Sequence, residues 1–202
     1  MVERDVGLPS FWDGAYRSGK TVWDLGEPTP VFRRLLKWRQ FAAGRMIVLG
    51  AGHGYDAREF ARRGFSVVAV DFAAEAVRWM AALADPQASV EIVHASIFDL
   101  PHTLDGSFDY VLEYMCYCAI DPARRGDYAD LVARLLKVGG RLIDLAFPLT
   151  RHDGGPPYAV SVEEIVAQFE PRGLTLMESE WPADSHPARR GREQLLIFQK
   201  MP

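Results

Sequence analysis

The apolar run Met46–Leu49 passes directly into the turn Gly50-Ala51-Gly52-His53-Gly54, and a helical pattern opens behind it. No other feature constrains the chain as strongly. A strand that ends in glycines and feeds a helix brings side-chain-free backbone, and the amide groups of a helix start, to the carboxyl edge of a parallel sheet. About 20 residues on, a second strand-like run ends at Asp71, where a carboxylate can accept both hydroxyl protons of a ribose in the crevice beyond the strand ends. The turn alone is satisfied by tight strand-to-helix packing; turn and acid together predict a nucleotide-type cofactor.

The rest of the chain extends this plan. Strand-like runs at Met46–Leu49, Val67–Asp71, Val90–Val93, Asp109–Glu113, Leu142–Phe147, Leu174–Glu180 and Leu195–Gln199 are separated mostly by helical patterns. Such alternation predicts an α/β fold, a Rossmann-like three-layer sandwich with a parallel-dominated sheet between helices. Pro182–Arg192, between the last two runs, is too short for a crossover helix, so the seven-stranded sheet is expected to carry its last strand antiparallel. Phe72, Ala76, Trp79 and Leu83 mark one helical face for the sheet, and Tyr128, Leu131, Val132 and Leu135 another before a stop at Gly139-Gly140. Ser161 and Glu164 form a capping box for a helix that buries Val162, Ile165, Val166 and Phe169 and ends at Pro171.

With 202 residues, 49% of them hydrophobic, the chain is expected to form one domain, 1–202, with a catalytic core over 42–202. A net charge of −4 offers no positive field for phosphate backbones, so no nucleic-acid partner is expected. No apolar stretch approaches a membrane span, and Met1–Asp5 lacks the plan of a signal peptide, which predicts a cytoplasmic protein without membrane contact. Cys116 and Cys118 are too few for a disulfide framework, and His53, His94, His102, His152 and His186 lack ligand spacing, so no metal is expected.

A nicotinamide enzyme competes for the same turn. Its fingerprint spaces the last two glycines by two residues, whereas Gly52 and Gly54 are spaced by one, and no second substrate domain follows. The spacing favours a methyl donor.

Further motifs narrow the choice: Trp12-(x3)-Tyr16-(x2)-Gly19-Lys20-Thr21-(x)-Trp23, Ser96-Ile97-Phe98-Asp99-Leu100-Pro101, Ala119-Ile120-(x4)-Arg125 and Gly155-Pro156-Pro157-Tyr158. Together they resemble the thiopurine S-methyltransferase-like family, which includes thiol and halide methyltransferases, over nearly the whole chain from Trp12 to Phe198. The resemblance implies S-adenosyl-L-methionine as cofactor and S-adenosyl-L-homocysteine as its product. It also implies an N-terminal helical lid, within residues 1–41, that folds over the cofactor through Trp12 and Trp23. Gly50 and Gly52 then approach its methionine part, with Gly54 a further cofactor-binding residue of the same turn, Asp71 holds the ribose, and Ser96 and Ile97 border the adenine. Ring faces attract cations such as a sulfonium, and a cover excludes water, so an aromatic lid suits such a donor; plain packing of an N-terminal helix is the competing explanation.

Glu113 stands where the resemblance often shows Asp, and three roles stay open: binding the donor's ammonium group, taking a proton from the acceptor, or merely ending a strand. Arg125 matches an arginine that the family places near the acceptor, where a guanidinium steadies an anionic nucleophile. Tyr158 and the Arg189-Arg190 pair fall on loops expected at the same rim, where they either meet the acceptor or form plain surface. The expected activity is in-line methyl transfer to a small thiol or similar soft nucleophile. Small-molecule O-, N- or chalcogen methylation and an inactive donor-binding protein are the alternatives.

Overall fold

The computed structural model describes residues 5–38 and 41–202; the reading of the first four residues, and Arg39 and Gln40 of the expected lid segment, lie outside that range. All seven expected strands are present: β1 (Arg45–Leu49), β2 (Ser66–Asp71), β3 (Val90–His94), β4 (Phe108–Glu113), β5 (Leu136–Ala146), β6 (Leu174–Glu180) and β7 (Gln194–Lys200). They form one sheet in the order β3-β2-β1-β4-β5-β7-β6. β7 runs antiparallel to both β5 and β6, and the remaining pairs are parallel. β1 therefore lies beside β2 and β4, and the chain reverses its winding there, at the point where open α/β sheets gather ligands.

Six α-helices are present among the described residues: α1 (Pro9–Arg17), α2 (Pro30–Trp38), α3 (Tyr55–Arg62), α4 (Ala74–Ala82), α5 (Arg125–Leu135) and α6 (Val162–Phe169), of which α1 packs on α4 and the others flank the sheet. Alternate strand residues enter opposite cores, as a period of two requires. Ile47, Val111, Leu142 and Phe198 meet Tyr128, Leu131 and Phe169 of α5 and α6 on one face. Met46, Val48, Leu112 and Ile143 meet Phe32, Phe60 and Met80 of α2, α3 and α4 on the other. A sheet buried on both faces explains why its central strands read as unbroken apolar runs. None of the helices is long and apolar enough to cross a membrane, among the described residues.

Half of the expected capping box forms: Ser161 Oγ accepts from the Glu164 amide at 3.1 Å, but the Glu164 carboxylate turns to Arg125 and the Tyr117 hydroxyl instead of back to the Ser161 amide, and the helix gives way to a 3-10 turn at Glu170–Arg172, around Pro171. Two expectations need correction. Gly139-Gly140 does not stop a helix; α5 ends at Leu135 and β5 begins at Leu136, so the glycines lie inside the strand. The β4–β5 ladder shifts register between Phe108 and Tyr110, and a Cβ on Gly140 would stand 2.9 Å from the Lys137 carbonyl oxygen, the crowding that makes glycine necessary at a bulge. On α4 the buried face carries Ala76 and Met80, while Trp79 and Leu83 are 48% and 37% exposed. Met80 takes the inward position because Gly54 leaves room for it: a Cβ on Gly54 would meet Met80 Cγ at 2.6 Å. Trp79 turns aside onto the His53 ring, 5.4 Å between centroids.

A candidate cofactor and acceptor site at the strand ends

The turn after β1 holds Gly50, Gly52 and Gly54 at φ +62°, +55° and +69°, a left-handed conformation that costs other residues strain. Their surroundings differ. A Cβ on Gly50 would strike Cys116 Sγ at 2.9 Å, so Gly50 is needed for packing, as is Gly54 beneath Met80. A Cβ on Gly52 would meet only the Tyr16 hydroxyl, at 3.3 Å, so here bare backbone faces the crevice. α3 begins behind the turn without a side-chain cap, leaving its first amides for a ligand.

Asp71 binds the turn to the end of β2. Its two oxygens accept from the amides of Gly52 at 2.8 Å and Ala73 at 2.9 Å. Burial pushes its carboxyl pKa up, and the amide hydrogen bonds pull the other way. Beyond β2 and β3 a cavity of about 440 Å³ opens between Phe72, His94, Ser96, Phe98 and Asp99, edged by Gly7, Pro9 and Arg124. Ser96 Oγ caps the following 3-10 turn by accepting from the Phe98 amide, and Ile97 is buried against the core. Glycine backbone, a buried acid and a slot that mixes the Phe72 and Phe98 rings with polar groups fit the methionine, ribose and adenine parts of S-adenosylmethionine.

The N-terminal segment covers this crevice. Trp12 and Trp23 meet edge to face at 5.4 Å, and Tyr16 meets Trp23 at 5.6 Å. Asp13 caps α4 by accepting from the Glu75 amide at 2.9 Å, which ties α1 to the core. Tyr16 belongs to the quoted motif, yet its sequence context gave no separate role. Its hydroxyl reaches Gly52 and feels Asp71, whose charge together with burial raises its pKa. Asp24 Oδ2 stands 2.7 Å from His53 Nδ1, so the segment also contacts the glycine turn directly.

At the end of β4, Glu113 is buried and fully engaged. Oε1 accepts from the amides of Cys116 at 3.1 Å and Tyr117 at 3.0 Å, and Oε2 from the Tyr128 hydroxyl at 2.6 Å. The carboxylate thus closes the bend in which Met115 adopts φ +70°. Burial raises its pKa to about 7, against the pull of those hydrogen bonds. Burial raises both thiol pKa values at Cys116 and Cys118, with Glu113 adding to it, and no disulfide joins them. They are inert packing groups rather than nucleophiles.

Arg125 starts α5, buried over the Tyr117 ring. It donates to Glu164 Oε1 at 2.6 Å and to the Ala159 carbonyl at 3.1 Å, while its Nε is buried without a partner. Its contact with the rim is therefore through the backbone beside Tyr158, whose own amide donates to the Cys118 carbonyl at 2.7 Å. Of the expected arginine pair, Arg190 is exposed and Arg189 buried. Arg189 donates to the Tyr114 hydroxyl at 3.2 Å, and Tyr114 donates to buried Glu193 at 2.9 Å. Tyr114 and Glu193 carried no recognisable sequence signal, because a loop decides their meeting. Among the described residues, no group of three His, Cys, Asp or Glu side chains is arranged to hold a metal.

Comparison with known proteins identifies the family and the fold. A profile of the Thiopurine S-methyltransferase family matches residues 8–198. Over 194 residues, the chain is 33% identical to "Probable thiol methyltransferase 2" of Arabidopsis thaliana and 33% identical to "Thiocyanate methyltransferase 1" of Brassica oleracea, covering 94% of this chain and 84% of each relative. The fold matches the crystal structure of Burkholderia thailandensis 1,6-didemethyltoxoflavin-N1-methyltransferase bound to 1,6-didemethyltoxoflavin and S-adenosylhomocysteine. That match has a TM-score of 0.74 at 19% identity, over 96% of this chain and 87% of the other. With a family profile spanning nearly all of its length, the chain belongs to the thiopurine S-methyltransferase family of S-adenosylmethionine-dependent methyltransferases.

Proposed function

We propose that the chain methylates a small thiol or similarly soft nucleophile, as one catalytic domain acting on small metabolites in the cytoplasm. The observation that carries the acceptor class is the state of Glu113: four hydrogen bonds from Cys116, Tyr117 and Tyr128 occupy its oxygens. An acid so engaged is a poor general base. Alcohols and amines depend on such a base, whereas a thiol with pKa near 8.5 is a few per cent ionised at neutral pH without one.

S-Adenosylmethionine, when bound, supplies an electrophilic methyl group on a sulfonium sulfur. Gly52 turns bare backbone to the donor's chain, with Gly50 and Gly54 holding the turn in shape against Cys116 and Met80, and Asp71 takes the ribose hydroxyls on the lone pairs its amide partners leave free. Ser96 and Ile97 edge the adenine, and Trp12, Tyr16 and Trp23 cover the site and exclude water. Tyr158 lines the acceptor side, with Arg125 fixing its loop through Ala159 and Glu113 shaping the opposite wall. Displacement in line requires only alignment of nucleophile, methyl and leaving sulfur, so positioning supplies most of the rate.

Calorimetric titration of Asp71→Ala with S-adenosylmethionine tests the cofactor site; affinity equal to the wild type would sink it. An acceptor panel of thiols, thiocyanate, alcohols and amines with radiolabelled donor tests the class. Turnover is expected on the sulfur compounds, and preference for an alcohol or amine would overturn the assignment.

A further inference from the structure

Two carboxyls stand side by side near the carboxyl ends of the adjacent strands β4 and β5. Glu113 is the register partner of Asp144 across β4 and β5. Both side chains point to the α5–α6 face, because Val111 and Leu142, two residues earlier on each strand, belong to that core. Each residue is 3% exposed. Methyl transfer as derived above makes no use of Asp144, and an acid inside a sheet is costly unless another group compensates.

Their partners are unequal. The two amides and the phenol that reach Glu113 favour its charged form. Asp144 has no such help: burial and the neighbouring Glu113 charge both hold its proton on. The two groups titrate as one system that keeps a proton near neutral pH. The cofactor turn lies one side chain away, since Cys116 gives its amide to Glu113 and rests its sulfur against Gly50.

We infer that Asp144 and Glu113 form a proton-holding pair that senses the charge of the bound cofactor, releasing its proton to solvent when the sulfonium of the methyl donor binds and taking it back from solvent with the demethylated product, whose sulfur is neutral. The inference rests on the cofactor lying along Gly50–Gly54. The donor carries one more positive charge than S-adenosylhomocysteine, and a nearby positive charge favours the ionised pair. By linkage, rising pH then strengthens binding of the donor relative to the product. The pair gives the site a preference for unspent over spent cofactor, without touching either.

The groups facing the pair are Tyr128 from α5 and Cys116, Tyr117 and Cys118 from the bend after β4. Behind Tyr117 stands the Arg125–Glu164 ion pair of α5 and α6, and Asp71 acts on Cys116 from the β2 side. β7 offers only Leu196 opposite Asp144. These phenols and thiols all have raised pKa values, so they stay protonated through pH 5 to 8.

Isothermal titration of the full chain with S-adenosylmethionine and with S-adenosylhomocysteine, in buffers of different ionisation heat, counts the protons exchanged. At pH 7 the donor is expected to release more protons than the product, and the donor-to-product affinity ratio to rise about threefold or more from pH 6 to 8. Both differences should shrink in Asp144→Asn while both ligands still bind, because burial alone still raises the Glu113 pKa. Asp144→Leu, of the same branched outline without a polar group, serves if the amide disturbs Glu113. Equal proton exchange for the two ligands, or a difference undiminished in both variants, would overturn the inference. Failure of the wild type to bind either ligand, or binding unaltered in Asp71→Ala, would instead overturn the reading of the site on which it rests.

Discussion

Arg189 donates from Nη2 to the carbonyl oxygen of Trp23 at 2.9 Å, across 166 positions of sequence. The same nitrogen reaches the Val22 carbonyl at 3.3 Å, and the guanidinium lies 4.6 Å over the Phe147 ring. A buried cation on the loop before β7 thus latches the N-terminal cover onto the rim, balanced through Tyr114 by buried Glu193.

Arg189→Ala removes the latch and the guanidinium that faces buried Glu193 through the Tyr114 hydroxyl. Loss of one member of a buried charged set costs about 3 to 5 kcal/mol, and donor affinity is expected to fall at least tenfold as the cover loosens. Urea denaturation and calorimetry read the two effects. Arg189→Lys keeps the charge but not the fork that serves carbonyls and phenol together, so it should fall between.

Gly50→Ala places a methyl group 2.9 Å from Cys116 Sγ at φ +62°. Conformational strain of roughly 1 to 2 kcal/mol adds to the clash, for an expected loss of about 2 to 4 kcal/mol. Cys116→Ala in the same chain should recover part of it. Additive losses in that double-mutant cycle would show that the two sites do not press on each other.

Arg125→Met breaks the pair with Glu164 and the bond to Ala159. Glu164 keeps a third of its side chain in water, so the stability cost is modest, about 1 to 3 kcal/mol. Because the loop bearing Tyr158 loses its anchor, KM for the acceptor should rise severalfold with donor affinity unchanged. A fall in donor affinity of the same size would place Arg125 on the cofactor side.

Stability should decline with rising pH across the neutral range. Glu113 has its pKa raised to about 7 in the folded chain, so its contribution is fully present below about pH 4.5 and lost as pH climbs through 7. The loss is on the order of 3 kcal/mol for a group so shifted. Denaturant unfolding at pH 5, 6, 7 and 8 measures the slope, and Asp144→Asn, which removes a second buried acid whose pKa is raised by burial and by the Glu113 charge, should flatten it.

Met80→Ala should cost about 2 to 5 kcal/mol, as for a buried methionine, and Trp79→Ala less than about 1 kcal/mol, since Trp79 is half exposed. Thermal unfolding decides; the reverse order would return Trp79 to the core.

That last pair marks a limit of sequence. Phe72, Ala76, Trp79 and Leu83 have helical spacing, but so do Ala76 and Met80, and only the room beneath Gly54 selects between them. The sheet was legible, because strands buried on both faces read as apolar runs and the last linker was too short to cross over. The cofactor half of the candidate site was legible too, since glycines after β1 and an acid after β2 are local to strand ends. Residues joined only by long-range geometry were not: Tyr114, Arg189 and Glu193 meet through a loop, and Asp144 gains meaning only from its register with Glu113. Glu113, a candidate base in sequence, is instead consumed by the bend that follows it.

The Arg189–Trp23 bond has a consequence during synthesis. At about 5 to 20 residues per second, a ribosome delivers Arg189 roughly ten to thirty seconds after Trp23, and throughout that interval the cover rests on its earlier contacts, Asp13 with Glu75 and Asp24 with His53. A chain stalled before Arg189 would carry Trp12, Tyr16 and Trp23 docked on α4 and the glycine turn but unlatched at the rim.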